Sequence, residues 1–167
     1  MSVTLPNAMK KDNLITYLND HLAGSVGALE LLEHMGKDAE EEEFRRFCKF
    51  LHQEITSDQT VLRDLIKELG AGEAPVKKAG AWLAEKAGWV KFKLAGSEGT
   101  ELGRLQSLEG LKLGVTGKKE LWIALATVPH LVSPLERLDY PHLVKRAEEQ
   151  LVQIETERLK AAKAAFS

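Results

Sequence analysis

Residues 14–35, LITYLNDHLAGSVGALELLEHM, decide how the chain is expected to fold. Leucines and small apolar residues recur there at alternating steps of four and three, which is the spacing of one face of an α-helix. His21 and Ser25 fall on that same face. The stretch therefore predicts a long first helix, about 13–35, that carries two polar side chains toward the protein interior.

The ends of this helix are predicted from its flanking residues. Asp12 or Asn13 can cap the start, because a short side-chain oxygen accepts a hydrogen bond from the free amides of the first turn. Gly36 offers a stop after the last periodic residue.

Three further periodic segments predict long helices at about 40–69, 98–127 and 140–166. Ser97 or Thr100 can cap the helix at 98–127. The first two helices are expected to be antiparallel, because their connection is too short for another arrangement. Residues 71–100 are far longer than a hairpin between helices needs, so they predict a crossover along the bundle that carries a short extra helix. Its aromatic residues are expected to pack on the bundle's flank. They are Trp82, Trp89 and Phe92.

Composition narrows the class of protein. A chain of 167 residues with 44% hydrophobic residues can form one domain, 1–167, around one sizeable core. The formal charge of -2 provides no basic field, which argues against nucleic acid as a partner. No apolar run of about 18 residues and no secretory leader pattern occur, so we expect a cytoplasmic protein without a membrane partner. Cys48 is the single cysteine, which excludes a disulfide within the chain and argues against a zinc-thiolate site.

Four glycines lie on one arc of the third helix, at Gly103, Gly110, Gly114 and Gly117. Each glycine inside a helix costs up to about 1 kcal/mol relative to alanine, so the arc needs a reason. Close approach of another backbone, from the crossover or from a second copy of the chain, would supply one. We therefore expect a homodimer.

The helix registers predict a polar layer at the centre of the bundle. With 1.5 Å of rise per residue, equal offsets from a shared end mean equal heights. On this basis one polar residue from each helix lies level with the others and faces inward, with Ser25 a turn away. The four residues are His21, Asp58, Lys118 and Gln150. Lys118 and Asp58 should be paired if they are buried, because an isolated buried charge is costly.

This layer has two interpretations. It is a structural ion pair with hydrogen-bonded neighbours, or it is a small polar pocket that binds a metal, an anion or a substrate. No substrate, small-molecule ligand or cofactor can be named from these residues. For nucleophilic catalysis and for phosphate binding the sequence contains no recognisable arrangement.

The chain resembles the ferritin-like superfamily in its four long helices and in three stretches of sequence. They are LNDHLAGSVGALELLEHM (18–35), FLHQEITSDQTVLRDLIKELG (50–70) and LQSLEGLKLGVTGKKELWIAL (105–125). The resemblance covers nearly the whole chain and implies an all-α, up-down-down-up four-helix bundle with a long crossover. In that superfamily the bundle core holds two metals, through a Glu from each of two helices and a Glu-x-x-His from each of the other two.

The sequence departs from that ligand pattern. None of its five histidines has a glutamate three residues earlier. The alignment with the superfamily's first helix puts Ser25 where a ligand carboxylate belongs, and Glu54 is followed by Ser57 where the histidine belongs. Lys118 brings a positive charge to the expected height of the metals. The resemblance is therefore to ferritin-like proteins of bacteria that keep the bundle without the full metal set.

We accordingly expect a non-catalytic ferritin-like bundle protein of unknown cellular role, in which an internal polar layer replaces the di-iron site and no metal or cofactor is held. The alternative is a metal-dependent oxidoreductase with an atypical site built from His21 and Asp58, to which His52 or Glu54 could add a ligand. A third possibility is a binding module that holds a small acid through Lys118 and His21.

Overall fold

Five α-helices and one 3-10 turn make up the regular structure of the parts of the chain that the computed structural model describes, residues 7–71 and 99–167. The helices are α1 (Asn7–Asp38), α2 (Glu42–Glu68), α3 (Glu101–Ala126), the single-turn α4 (Ser133–Glu136) and α5 (Tyr140–Phe166). The 3-10 turn is Pro129–Leu131. No strand forms in these two ranges, so the all-α prediction is confirmed.

The first helix is longer at both ends than predicted. It begins at Asn7, so Asp12 and Asn13 lie inside it and do not cap it, and it continues through Gly36 to Asp38. A Cβ added at Gly36 would lie only 3.3 Å from the Cβ of Cys48, which shows how closely α1 approaches α2 at this point. The glycine therefore permits a close helix contact here and does not end the helix.

The other helix ends agree with their sequence signals. Gly70, just beyond α2, has a φ of 70°, a left-handed conformation that suits glycine. The Thr100 side chain accepts a hydrogen bond from the Gly103 amide at 3.0 Å and caps α3. Asp139 caps α5 in the same way, through the His142 amide at 3.0 Å.

Ion pairs show that α2 and α3 run in the same direction. Arg104, near the start of α3, contacts Glu41 at the start of α2 with an N–O distance of 2.8 Å. Farther along both helices, Lys118 contacts Asp58. Because residue numbers rise together on the two helices, they are parallel.

Helices α1 and α5 run opposite to α2. On α1, Ser25 lies near Gln59 and Glu33 lies near His52, so residue numbers rise on one helix as they fall on the other. On α5, Arg146 reaches Asp58 and Lys160 reaches Glu43, which is again an antiparallel order.

The buried apolar side chains form two clusters, one toward each end of α2 and α3. One cluster extends along α2 as far as Ile55, and the other begins at Leu62. On α3 the corresponding boundary lies between Val115 and Leu121. The polar residues Asp58 and Lys118 fall in these gaps, so the helix packing places a polar layer between two apolar layers.

The predicted crossover and its short helix, including the aromatic residues at 82, 89 and 92, lie outside the described residues. In the parts that are described, no helix combines the length and the apolar character needed to span a bilayer.

Candidate functional site: a central ionic cluster and an adjoining cavity

Asp58 is the focus of the polar layer. Its side chain on α2 is 3% exposed and contacts two cations on different helices. Lys118 Nζ from α3 donates to Oδ2 of Asp58, and Arg146 Nη2 from α5 donates to Oδ1. Both carboxylate oxygens are thus bound by charged donors, the arrangement that stabilises a buried carboxylate most strongly.

Gln150 links the cations and carboxylates. It is completely buried on α5, and its Oε1 accepts a hydrogen bond from Lys118. Its Nε2 lies 3.2 Å from Oδ2 of Asp58 and 3.3 Å from Oε2 of Glu54. We call Glu54, Asp58, Lys118, Arg146 and Gln150 the central ionic cluster. It contains two acids and two bases, so its formal charges balance.

Burial opposes the charge of Lys118. The lysine is shielded from water, which lowers its pKa below the ordinary value of 10.5, while the nearby Asp58 raises it. The positive charge of Arg146 lowers it further. The lysine is therefore held charged by its carboxylate partner against a cost of desolvation.

His21 and Ser25 of α1 line one cavity together with Asp58 and Lys118, but their own contacts are with other residues. Ser25 accepts a hydrogen bond from Gln59 Nε2 at 2.8 Å and donates one to the Leu22 carbonyl at 2.6 Å. The ring of His21 makes an edge contact with the ring of Tyr17, with 4.7 Å between the ring centroids. Neither side chain bonds to the central ionic cluster in the described parts of the chain. The physical reason is the position of α1, which lies across a cavity from the cluster.

Arg146 and Glu54 are members of the cluster that the predicted layer did not include. Arg146 precedes Gln150 by one helical turn, so the two side chains share a face of α5. Charged side chains beside an apolar stripe are usually solvated, and the sequence alone gave no reason to place this one inside. Its length allows the guanidinium to reach Asp58 while its side chain stays 20% exposed.

A cavity of about 370 Å³ lies between α1, α2 and α3, beside the cluster. Asp58 and Lys118 form part of its wall, and His21 lines it from α1. Most of the remaining wall is apolar. The larger apolar side chains are Ala28, Ile55, Leu62, Val115, Leu121 and Trp122.

Three glycines leave space in this wall. Gly24, Gly114 and Gly117 line the cavity, and a Cβ built on any of them would meet nothing within 4 Å. The same is true of Gly110, which lies on α3 outside the cavity. The expected close approach of another backbone is therefore not made at Gly110, Gly114 or Gly117 by any described part of the chain.

Trp122 adds an unusual feature to the cavity wall. Its side chain is 1% exposed, yet its indole N–H has no hydrogen-bond partner within residues 7–71 and 99–167. Buried polar groups without a partner are uncommon, because each one loses its bonds to water on folding.

The central residues do not fit the two-metal centre that the ferritin-like resemblance implies. The cluster's carboxylates already bond to Lys118, Arg146 and Gln150, so a dication there would have to displace or face two cations. His52, a residue of the alternative site, pairs instead with Glu33 at 3.3 Å. In the described ranges no three His, Cys, Asp or Glu side chains are grouped as metal ligands.

Cys48 and Arg158 are also accounted for by their surroundings. Cys48 is 2% exposed, and burial raises the pKa of its thiol to about 12, so it is an unreactive core residue. Arg158 contacts the carboxylates of Glu155 at 2.7 Å and Glu109 at 3.5 Å.

The comparisons with known proteins add no relative to this geometry: no family model, no curated protein and no solved structure matches the chain.

Proposed function

We propose that the protein is a non-catalytic ferritin-like four-helix bundle in which the central ionic cluster takes the place of a two-metal centre. The observation that carries the proposal is the environment of Asp58, whose two carboxylate oxygens bond to Lys118 and Arg146. The two cations held by this carboxylate repel a dication, so a metal could bind there only by displacing Lys118 or Arg146.

The helix directions support the ferritin-like part of the proposal. Helices α2 and α3 are parallel to each other and antiparallel to α1 and α5, which is the up-down-down-up order that the resemblance implies. The long connection between residues 71 and 99 is what two successive parallel helices require.

The alternative of a metal-dependent oxidoreductase gains no specific support. It needs His21 together with Asp58, with His52 or Glu54 as an optional further ligand. Asp58 and Glu54 belong to the ionic cluster, while His21 contacts Tyr17 and His52 contacts Glu33. His21 and Asp58 both line the cavity, but each of these residues has a partner of its own.

Elemental analysis tests the proposal. The protein is purified without chelators from cells grown with added iron and manganese, beside the Asp58→Asn variant and a matched Asp64→Asn variant at an exposed position of the same helix. The proposal predicts far less than one metal per chain in all three proteins. Stoichiometric iron or manganese that is lost in Asp58→Asn and retained in Asp64→Asn would contradict it.

We retain a homodimer in the cytoplasm as part of the proposal. Val152, Leu159 and Phe166 support the dimer, because they are spaced by seven residues on α5 and are 68%, 54% and 75% exposed. Light scattering of the purified protein is expected to give twice the chain mass, and Leu159→Glu is expected to lower it to the monomer. A monomeric parent protein would contradict the dimer, and cell fractionation tests the location.

A further inference from the structure

The cavity between α1, α2 and α3 has no part in the proposed replacement of the metal centre. It is nevertheless bounded by three features that folding alone does not explain. Among residues 7–71 and 99–167, three helical glycines have open space where a Cβ would be and a buried indole N–H has no partner, while His21 places a half-buried ring in the wall.

The glycines indicate that the space is maintained. Alanine at Gly24, Gly114 or Gly117 would meet no atom within 4 Å and would favour the helix. Packing therefore does not require glycine at these positions. Larger side chains there would instead reduce the volume of the cavity, which is consistent with an occupant that needs the room.

The size and walls of the cavity define the class of occupant. A volume of about 370 Å³ lies at the lower end of the range for small-molecule sites. Most of the wall is apolar, including Ile55, Leu62 and Val115. The occupant is therefore a compact, mainly apolar molecule.

The charges at the cavity favour a neutral occupant. The Lys118 ammonium bonds to Asp58 and Gln150, so its charge is already matched by a carboxylate. Burial lowers the pKa of His21, so its ring is neutral at neutral pH and can donate one hydrogen bond and accept another. Neither group therefore offers an unmatched positive charge to an acid, and the carboxylate of Asp20, an exposed residue that also lines the cavity, would repel one.

We propose that this cavity binds a small neutral molecule that has an aromatic or branched aliphatic body and one hydroxyl group, with the body against the apolar wall and the hydroxyl hydrogen-bonded to His21. The third possibility raised from the sequence, an acid held by Lys118 and His21, is replaced by this neutral ligand. The inference goes beyond the proposed non-catalytic function and does not depend on it.

Titration with para-cresol tests the site, with toluene as the matched ligand that lacks the hydroxyl. Binding is followed in 15N-labelled protein through the backbone amides of Gly24, Gly114 and Gly117 and the indole N–H of Trp122. The expected result is a saturable shift of these signals by para-cresol and weaker binding of toluene. The absence of saturable shifts at these groups for both compounds would overturn the proposal.

Two substitutions on α3 form a matched pair. Gly114→Leu places a side chain in the cavity, whereas Gly110→Leu adds the same side chain to the same helix outside it. Gly114→Leu is expected to weaken para-cresol binding at least tenfold and to leave the melting temperature unchanged or higher. Gly110→Leu is expected to leave the affinity within twofold. Equal affinities in the two variants would place para-cresol elsewhere and refute the site.

The melting temperature also distinguishes a small-molecule site from a cavity that protein fills. If residues 72–98 or a second copy of the chain occupied this space, Gly114→Leu would clash and melt well below Gly110→Leu, and para-cresol would shift none of the marked signals. That outcome would overturn the proposal.

His21→Phe tests the hydrogen bond separately. The phenyl ring is slightly larger than the imidazole, removes its hydrogen-bonding nitrogens and can keep the edge contact with Tyr17. The variant is expected to lose most of the preference for para-cresol over toluene while still binding toluene. An unchanged preference would refute the role of His21. Metal content does not enter any of these results, so the proposed function and this inference can fail independently.

Discussion

Removal of Asp58 should destabilise the protein more than any other single change in the central ionic cluster. Its carboxylate is 3% exposed and holds the charges of Lys118 and Arg146, whose side chains are 14% and 20% exposed. Asp58→Asn leaves both cations without a carboxylate at this point, and breaking a buried ion pair in this way costs about 3 to 5 kcal/mol. Lys118→Met leaves Asp58 bonded to Arg146, so we expect a smaller loss of about 1 to 3 kcal/mol, the cost of a buried polar group that loses one partner.

The double variant measures the interaction itself. Because Lys118 and Asp58 are in direct contact, the cost of changing both should fall short of the sum of the single costs by about 1 to 3 kcal/mol. The assay is urea unfolding at neutral pH, followed by far-ultraviolet circular dichroism, with equal slopes required before free energies are compared.

An exposed pair on α5 provides the control for this cycle. Lys145 and Glu149 are 3.7 Å apart, with side chains 74% and 60% exposed, so their coupling should stay within about 0.5 kcal/mol. If the costs of Lys118→Met and Asp58→Asn simply added, so that their coupling energy were as small as that of the control pair, the buried pairing would be refuted.

Further predictions concern glycine, histidine and cysteine. Gly110→Ala should stabilise the protein by about 0.5 to 1 kcal/mol, because the new Cβ meets no atom within 4 Å, whereas Gly70→Ala should destabilise it by about 1 to 2 kcal/mol, because φ is 70° there. Chemical denaturation measures both changes, and a change in the free energy of unfolding of the same sign for the two variants would contradict this prediction. Burial lowers the pKa of His21 below 6.5, so the unfolded chain binds more protons than the folded one between the two values. The stability of the protein should therefore fall as the pH drops from 6.5 through this window, and the stability of His21→Phe should fall less steeply. Parallel curves of melting temperature against pH for the two proteins would contradict this prediction. Cys48 should react with a disulfide reagent only as fast as the protein opens, because its thiol is 2% exposed and its pKa is about 12. Rapid labelling of the native protein would exclude that environment.

Much of the helical architecture could be predicted from periodicity. The last helix was expected at 140–166 and is observed at Tyr140–Phe166, since its apolar stripe is regular over this whole range. Gly36 was misleading as a stop, because a glycine that ends a helix and a glycine that admits a close neighbour look the same in a sequence. The structure separates the two cases through the 3.3 Å approach to Cys48.

The central residues were predictable in part. Asp58, Lys118 and Gln150 could be placed at one height because helix rise is constant and their inward direction follows from the stripes. It could not be predicted that His21 would lie apart from the ionic cluster. Register fixes the height of a residue but not the separation between helices, and a cavity lies between His21 and the cluster. Arg146 was not predictable because its reach depends on the direction of a long, flexible side chain.

We propose that the cations Lys118 and Arg146 stand where a ferritin-like bundle would hold its two metals. An anomalous difference map from crystals soaked in manganese chloride, recorded at the manganese edge, tests it most directly. We predict no anomalous peak within the central ionic cluster, with Lys118 Nζ in contact with Asp58 and Gln150. A manganese peak bound by Asp58, with Lys118 displaced from it, would contradict the account.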